Sequence, residues 1–275
     1  MLLGFFDERR AIRQILSKVC VSPNPRSEIL KATWRNHQKQ RGAAIARAGV
    51  PNMTPTPPTM DAHIGAVKAL DRLKNGVDDL GFDVQMVEVK TLLAFQAGVF
   101  EDKVASMQAV LGAAPTDQAL AELFLPLKAG LDPKDIQIDQ GPPVKWMTRN
   151  HNAVVHGAAA GHDPATGQFS MIFVIGEREP CVQAVEFKGK YFLKNGYHRV
   201  VAAMRCGVTH IPALVVHAPN WAKVNPALGQ DWFFDAGTLM QELPTVSHFA
   251  SGCQVAIRLW ELNLVFSQTT LYRAV

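Results

Sequence analysis

The sequence predicts an α+β protein, α/β-like in its local order, with a helical N-terminal region followed by a mixed-sheet domain. Three observations carry this. Residues 27–48 contain no proline and one glycine, Gly42, which is helix composition. Beyond residue 144, short apolar runs rich in β-branched and aromatic side chains take over, the strongest at 169–175 (FSMIFVI). Residues 191–216 then read strand, turn, helix, strand, a βαβ-like unit with Gly196 and Gly207 at its corners. The 275 residues are 48% apolar and 19% charged, enough to build a core and unlike a disordered chain.

In chain order, residues 1–50 form a basic helical arm, with Ser27 placed to cap its helix and Gly49 to end it. Residues 1–48 carry ten Lys or Arg against Asp7, Glu8 and Glu28, a net +7, which leaves −3 on the rest of a chain whose total is +4. Such an arm is either a nucleic-acid contact or the solvated face of a helix that packs elsewhere. Its apolar residues, among them Ile12, Ile15, Leu16, Ile29, Leu30 and Ile45, need burial. Four prolines within 51–58 make residues 51–60 a stiff linker, because proline fixes φ and removes a backbone donor.

The body, 61–275, opens with a helix that Asp61 can cap, in which Ile64, Val67, Leu70 and Leu73 recur at helical spacing. Residues 82–89 (FDVQMVEV) alternate and read as a strand. Residues 92–125 read as mostly helical with a break at 112–115 (GAAP), and 126–143 as loop. Strands follow at 144–147 and 169–175. Residues 183–187 and 191–193 flank Lys188-Gly189-Lys190 either as a hairpin or as a strand broken at a turn. A helix over 196–206 and a strand over 211–216 complete a mixed-sheet domain placed at 82–218. The extension 219–275 is weakly patterned, and 254–266 read as strand or helix. No stretch approaches about 18 uninterrupted apolar residues, so no membrane-spanning helix and no membrane partner are expected. Cys20, Cys181, Cys206 and Cys253 form no CxxC pair, which signals neither a disulfide framework nor a cysteine zinc site. The N-terminus (MLLGFFDERR) sets its apolar residues before its charges, the reverse of a secretory signal, so the expected compartment is the cytoplasm.

The chemistry concentrates in YFLKNGYHRVVAAMRCGVTHIPALVV, residues 191–216. An apolar strand delivers the backbone into Lys194-Asn195-Gly196, where glycine permits a tight turn and close approach of a ligand. His198 and Arg199 fall on the first turn of the helix that follows. Exposed N–H groups, the positive end of the helix dipole and a guanidinium then suit a phosphate. His198 is either a donor to that phosphate or a residue that only starts the helix.

This run resembles the ParB/sulfiredoxin superfamily in Gly196-Tyr197-His198-Arg199, Val201-Ala202-Ala203, Gly207 and Ile211-Pro212-Ala213. The resemblance extends upstream through the strands at 169–175 and 183–187. It implies a small α/β fold that grips the phosphates of a nucleotide, ATP or CTP in known branches, with Mg²⁺. By position, Gly196, His198 and Arg199 would hold the phosphates, with Lys194 and Asn195 on the same turn. Two departures narrow it. Tyr197 stands where sulfiredoxins carry their catalytic cysteine, and a phenol of pKa near 10 cannot serve as that nucleophile. His198 replaces a second arginine of the partition proteins, and no pair of capped helices follows residue 216. Sulfinic-acid repair and standard centromere binding are therefore not expected. A third branch phosphorylates free serine with a carboxylate base, for which Glu177 and Glu179 (in GEREP) and Glu186 are the candidates, with Glu88 beside them.

Other constellations are weaker. His151, His156 and His162 with Asp163 fit no defined ligand spacing, so no metal site is expected. The run 149–167 is glycine-rich and loop-like, and suits a lid from which Lys145 or Arg149 reaches a phosphate. Its GAAAG is not a P-loop, because no Gly-Lys-Ser/Thr follows. The expected function is nucleotide binding, with ATP or CTP hydrolysis or phosphotransfer as its chemistry. The alternatives are a DNA-binding or DNA-processing protein of partition or nuclease type that uses residues 1–48, and a ligand-free interaction module. Homo-oligomerisation is a further expectation.

Overall fold

The computed structural model describes residues 52–128, 136–139, 145–148, 153–224, 244–250 and 264–267, apart from 78, 97 and 178, together with nine positions between 8 and 39. In chain order its elements are β1 (Met53–Thr54), α1 (Asp61–Lys68), β2 (Phe82–Glu88), β3 (Leu93–Ala94), α2 (Glu101–Leu111), α3 (Asp117–Phe124), β4 (Ile136–Asp139), β5 (Lys145–Thr148), β6 (Ala153–Asp163), β7 (Gln168–Glu177), β8 (Gln183–Phe187), β9 (Lys190–Asn195), α4 (Tyr197–Arg205), β10 (His210–His217), α5 (Trp221–Val224) and β11 (Leu264–Ser267). The chain divides into two units: Met1–Leu127 with Cys181–Leu259, and Lys128–Pro180 with Trp260–Val275. Helices together with a mixed sheet make this an α+β protein. Among the described residues, no helix is long and apolar enough to cross a membrane.

The first unit is built on six strands in the order β1-β2-β10-β8-β9-β3. β10 lies inside the sheet. Its residues Ile211 to Val216 are all buried, which accounts for their unbroken apolar run. β2 pairs antiparallel with it along its whole length, from Phe82↔Val216 to Glu88↔His210. β8 and β9 form a hairpin closed by Lys188 and Gly189. Both turn residues have positive φ, 52° and 74°, as a two-residue turn matched to strand twist requires. Because β8 runs parallel to β10 and antiparallel to β9, it lies between them. The strand, helix, strand passage of 191–216 is therefore not a parallel βαβ crossover: α4 links two antiparallel strands on either side of β8.

α4 supplies much of the core, with Val200, Val201, Ala202 and Ala203 fully buried. α2 is tied to it by a two-pronged ion pair, Arg205 Nη1 to Glu101 Oε2 at 2.7 Å and Nη2 to Oε1 at 2.9 Å. The predicted helix over 92–125 is shorter than expected. Leu93 and Ala94 join the sheet beside β9, and Gly112 (φ 70°) separates α2 from α3. Thr116 caps α3, its Oγ1 accepting from Ala119 N at 3.2 Å. Residues read as a linker are built into this unit: Met53 and Thr54 pair with Val87 and Met86, and Met60 is fully buried. Part of the extension is built in as well. Pro244 O accepts from Ala94 N, and Val246 N donates to Leu92 O, each at 2.8 Å. The described positions of the arm are helical; Ala11 is fully buried, and Ile12 and Trp34 pack against the core.

The second unit contains a three-stranded sheet, β11-β5-β4, and a two-stranded ribbon, β6-β7. β4 lies in the stretch read as loop. β6 corrects the loop reading of 149–167. Glycine and alanine favour strands poorly, but ten registered pairs with β7 hold them extended. The turn that makes this possible is built by Asp163. Its Oδ1 accepts from Ala165 N at 2.9 Å, its Oδ2 from Thr166 Oγ1 at 2.7 Å and its carbonyl from Gly167 N at 2.8 Å. Of the 254–266 stretch, only the β11 residues are described.

Candidate functional site

The turn from β9 into α4 is fixed by packing as much as by backbone freedom. Gly196 occupies the N-cap of α4 at φ 99°. A Cβ there would stand 2.5 Å from Val182 Cγ2, so glycine is required on two independent counts. The side of Gly196 expected to admit a ligand is thus closed by Val182. Asn195 anchors the same corner, its Nδ2 donating to Cys181 O at 3.2 Å.

Tyr197 turns inward and is buried. Its hydroxyl accepts from Phe95 N at 2.6 Å and Gln96 N at 3.1 Å, and donates to Leu193 O at 2.6 Å. Its ring stands edge-on to Phe249. Burial pushes the phenol well above the usual tyrosine range, despite the two amides that favour its ionised form. This hydroxyl joins the segment after β3 to β9, which is a structural task.

Arg199 does not lie at the rim of a cleft. It is 9% exposed, and its Nη1 donates to Leu123 O at 3.0 Å, near the C-terminal end of α3. It shares that end with other donors. His63 Nε2 meets Leu125 O at 2.8 Å, Arg72 Nη2 donates to Pro126 O at 2.7 Å and Nη1 to Leu127 O at 3.0 Å, and Val182 N donates to Phe124 O at 2.8 Å. Cations at a helix C-terminus satisfy its orphan carbonyls and complement the negative end of its dipole. The geometry therefore gives Arg199 a place in the cap of α3.

Two of the remaining residues keep some exposure. Lys194 is half-buried near the end of β9. His198 is half-buried on the first turn of α4, its ring stacked on Phe100 at 5.6 Å and 18°. Lys103 Nζ lies 6.0 Å from the centre of the same Phe100 ring. Desolvation pulls the Lys103 ammonium below the usual lysine range, opposed by Asp102. The first turn of α4 carries no acidic residue, and its N-cap glycine has no side chain to occupy the amides.

Of the carboxylates expected to act as bases, Glu186 lies away from this turn. Glu186 sits opposite Tyr191, four residues along β9 from Asn195, which is about 13 Å. Its Oε1 accepts from Gly189 N at 2.6 Å and its Oε2 from His217 Nδ1 at 3.1 Å. Glu88, at the end of β2, is held below the usual carboxylate range chiefly by its hydrogen bond with Lys90. Glu177 ends β7, and Glu179 is half-buried just beyond it; both belong to the second unit. Lys145 opens β5 in that unit. Arg149 and His151 lie outside the described residues. Among the described residues, no group of three His, Cys, Asp or Glu is arranged to hold a metal ion. The partners that decide these roles (Val182 for Gly196, Leu123 for Arg199, Phe100 for His198, His217 for Glu186) carry no local signal in the sequence.

No family model, no curated protein and no solved structure matches the chain.

Proposed function

We propose that the protein binds a nucleotide, with a phosphate on the first turn of α4. The observation that carries this reading is electrostatic. An uncapped, acid-free helix N-terminus has Lys194 two residues before its N-cap and His198 on its first turn, both partly exposed although the His198 Nε2 is buried, and the backbone N–H groups of such a terminus suit an anion. The likeness to ParB/sulfiredoxin proteins in residues 191–216 supports ATP or CTP with Mg²⁺ as the ligand. Gly196 and Asn195 act by holding the turn, and Arg199 by holding α3 against α4. The separation of Glu186 from this turn favours binding over phosphotransfer or hydrolysis with that residue as base.

The test is a thermal-shift screen of the purified chain against ATP, CTP, GTP and their diphosphates with Mg²⁺. Stabilisation by at least one nucleotide that rises with its concentration is expected. A melting temperature indifferent to all of them at millimolar concentration contradicts the reading. The second reading, DNA binding through the arm, is supported by the net +7 of residues 1–48.

A further inference from the structure

We infer that the β6–β7 ribbon is a self-association surface whose occupant is the same ribbon of a second copy. The ribbon pairs Ala153 with Glu177 through to Asp163 with Gln168, and among the described residues neither strand pairs with any other. A lone two-stranded ribbon is marginal in water, and this one keeps apolar side chains outside. Ile172 is 62% exposed and Val174 57% exposed.

The shape of that face selects a second copy. Cross-strand partners share a face, so Ile172 stands beside Ala159, Val174 beside Gly157 and Ser170 beside Gly161, all of them exposed. One lane of the face, on β7, carries β-branched knobs. The other lane, on β6, is nearly without side chains. A Cβ added at Gly157 meets nothing within 4 Å, and one at Gly161 meets only Ser170 Oγ, its own cross-strand neighbour. A two-fold axis parallel to the strands turns the second ribbon over and exchanges its lanes. Each knob lane then lies above the partner's empty lane, so the patch is complementary to itself, as an isologous contact must be.

Charge agrees. Residues 153–162 and 168–176 hold no Asp, Glu, Lys or Arg in a chain that has 28 basic and 24 acidic residues. Two copies therefore meet without like-charge repulsion except at the Asp163 end of the face, where each carboxylate is held by Ala165 N and Thr166 Oγ1 of its own turn, and along the rest a strongly acidic or basic partner finds nothing to pair with. The area sets the strength. Ten pairs at about 3.3 Å give a face about 33 Å long and about 10 Å wide, so two facing ribbons hide about 650 Å², below the roughly 1,200 Å² of stable interfaces. The association is a weak dimer.

The test is sedimentation equilibrium of the full chain across the micromolar range. The wild-type mass is expected to rise with concentration from one 30.1 kDa chain toward two. Ile172→Lys with Val174→Lys, which charges the knobs, should hold the mass at one chain. Gly157→Val, which fills the opposite lane at a position open in the single chain, should do the same, with far-ultraviolet circular dichroism unchanged. A wild-type chain that stays monomeric throughout, masses that climb past two, or folded variants that associate like the wild type would each overturn the inference.

Discussion

Tyr197 shows how one residue can displace a chemical role with a structural one. Its hydroxyl serves two consecutive amides and one carbonyl, from partners 101 and 102 residues away on one side and four on the other. Tyr197→Phe leaves those amides without their acceptor and is expected to cost about 2–4 kcal/mol, read by urea denaturation. The pH dependence follows from the raised phenol. Below about pH 10 both folded and unfolded chains keep the proton and the contribution is complete. Above it the unfolded chain ionises first, so stability falls by up to about 1.4 kcal/mol per pH unit until the folded group also ionises. Tyr197→Phe should lack that share of the alkaline decline; identical alkaline slopes would contradict the burial. Arg199→Ala should lower stability by about 1.5–3 kcal/mol, because a buried guanidinium leaves the end of α3. Chemical denaturation compared with His198→Ala decides it: only the arginine variant should shift substantially.

At the scale of elements, what was legible was local. β2, α4 and β10 follow from alternation, from a glycine at each end and from an unbroken apolar run, all within a few residues of one another. The β8–β9 hairpin remained one of two options because Lys188-Gly189 lacks the Asn-Gly or Asp-Gly signature, although both residues adopt the required positive φ. β6 was unreadable because Gly157, Ala158, Ala159, Ala160 and Gly161 speak against a strand, while the pairing that overrides them comes from β7. The site was legible only as a segment. That Arg199 reaches Leu123, 76 residues away, is a tertiary fact with no trace in the spacing. The arm is the element whose two readings a deletion separates. Ala11, Ile12 and Trp34 lie against the core, so removal of residues 1–48 should lower the melting temperature. Unchanged melting, with loss of a duplex-DNA affinity whose log K against log[salt] falls by about 0.9 per phosphate, would instead assign the arm to nucleic acid.

At the scale of the whole molecule, the second unit leaves the first and returns to it at neighbouring points. Phe124 O accepts from Val182 N at 2.8 Å, and Cys181 Sγ lies 4.0 Å from Pro126 O. Replacing residues 129–179 by a short Gly-Ser linker and ending the chain at 259 should therefore leave the first unit folded, with a cooperative melt, and remove concentration-dependent association. Loss of cooperative melting would show that the six-stranded sheet depends on the excised part. The nucleotide reading belongs to that sheet and its helix α4, and its sharpest test is a calorimetric titration of Mg²⁺ with ATP, and separately with CTP, into the intact chain and into Lys194→Ala and His198→Ala. A saturable wild-type isotherm that weakens about tenfold or more in the variants, with melting temperatures unchanged, is the predicted result; wild-type protein that takes up neither nucleotide, or variants that bind as tightly as the wild type, would contradict a phosphate site on the first turn of α4.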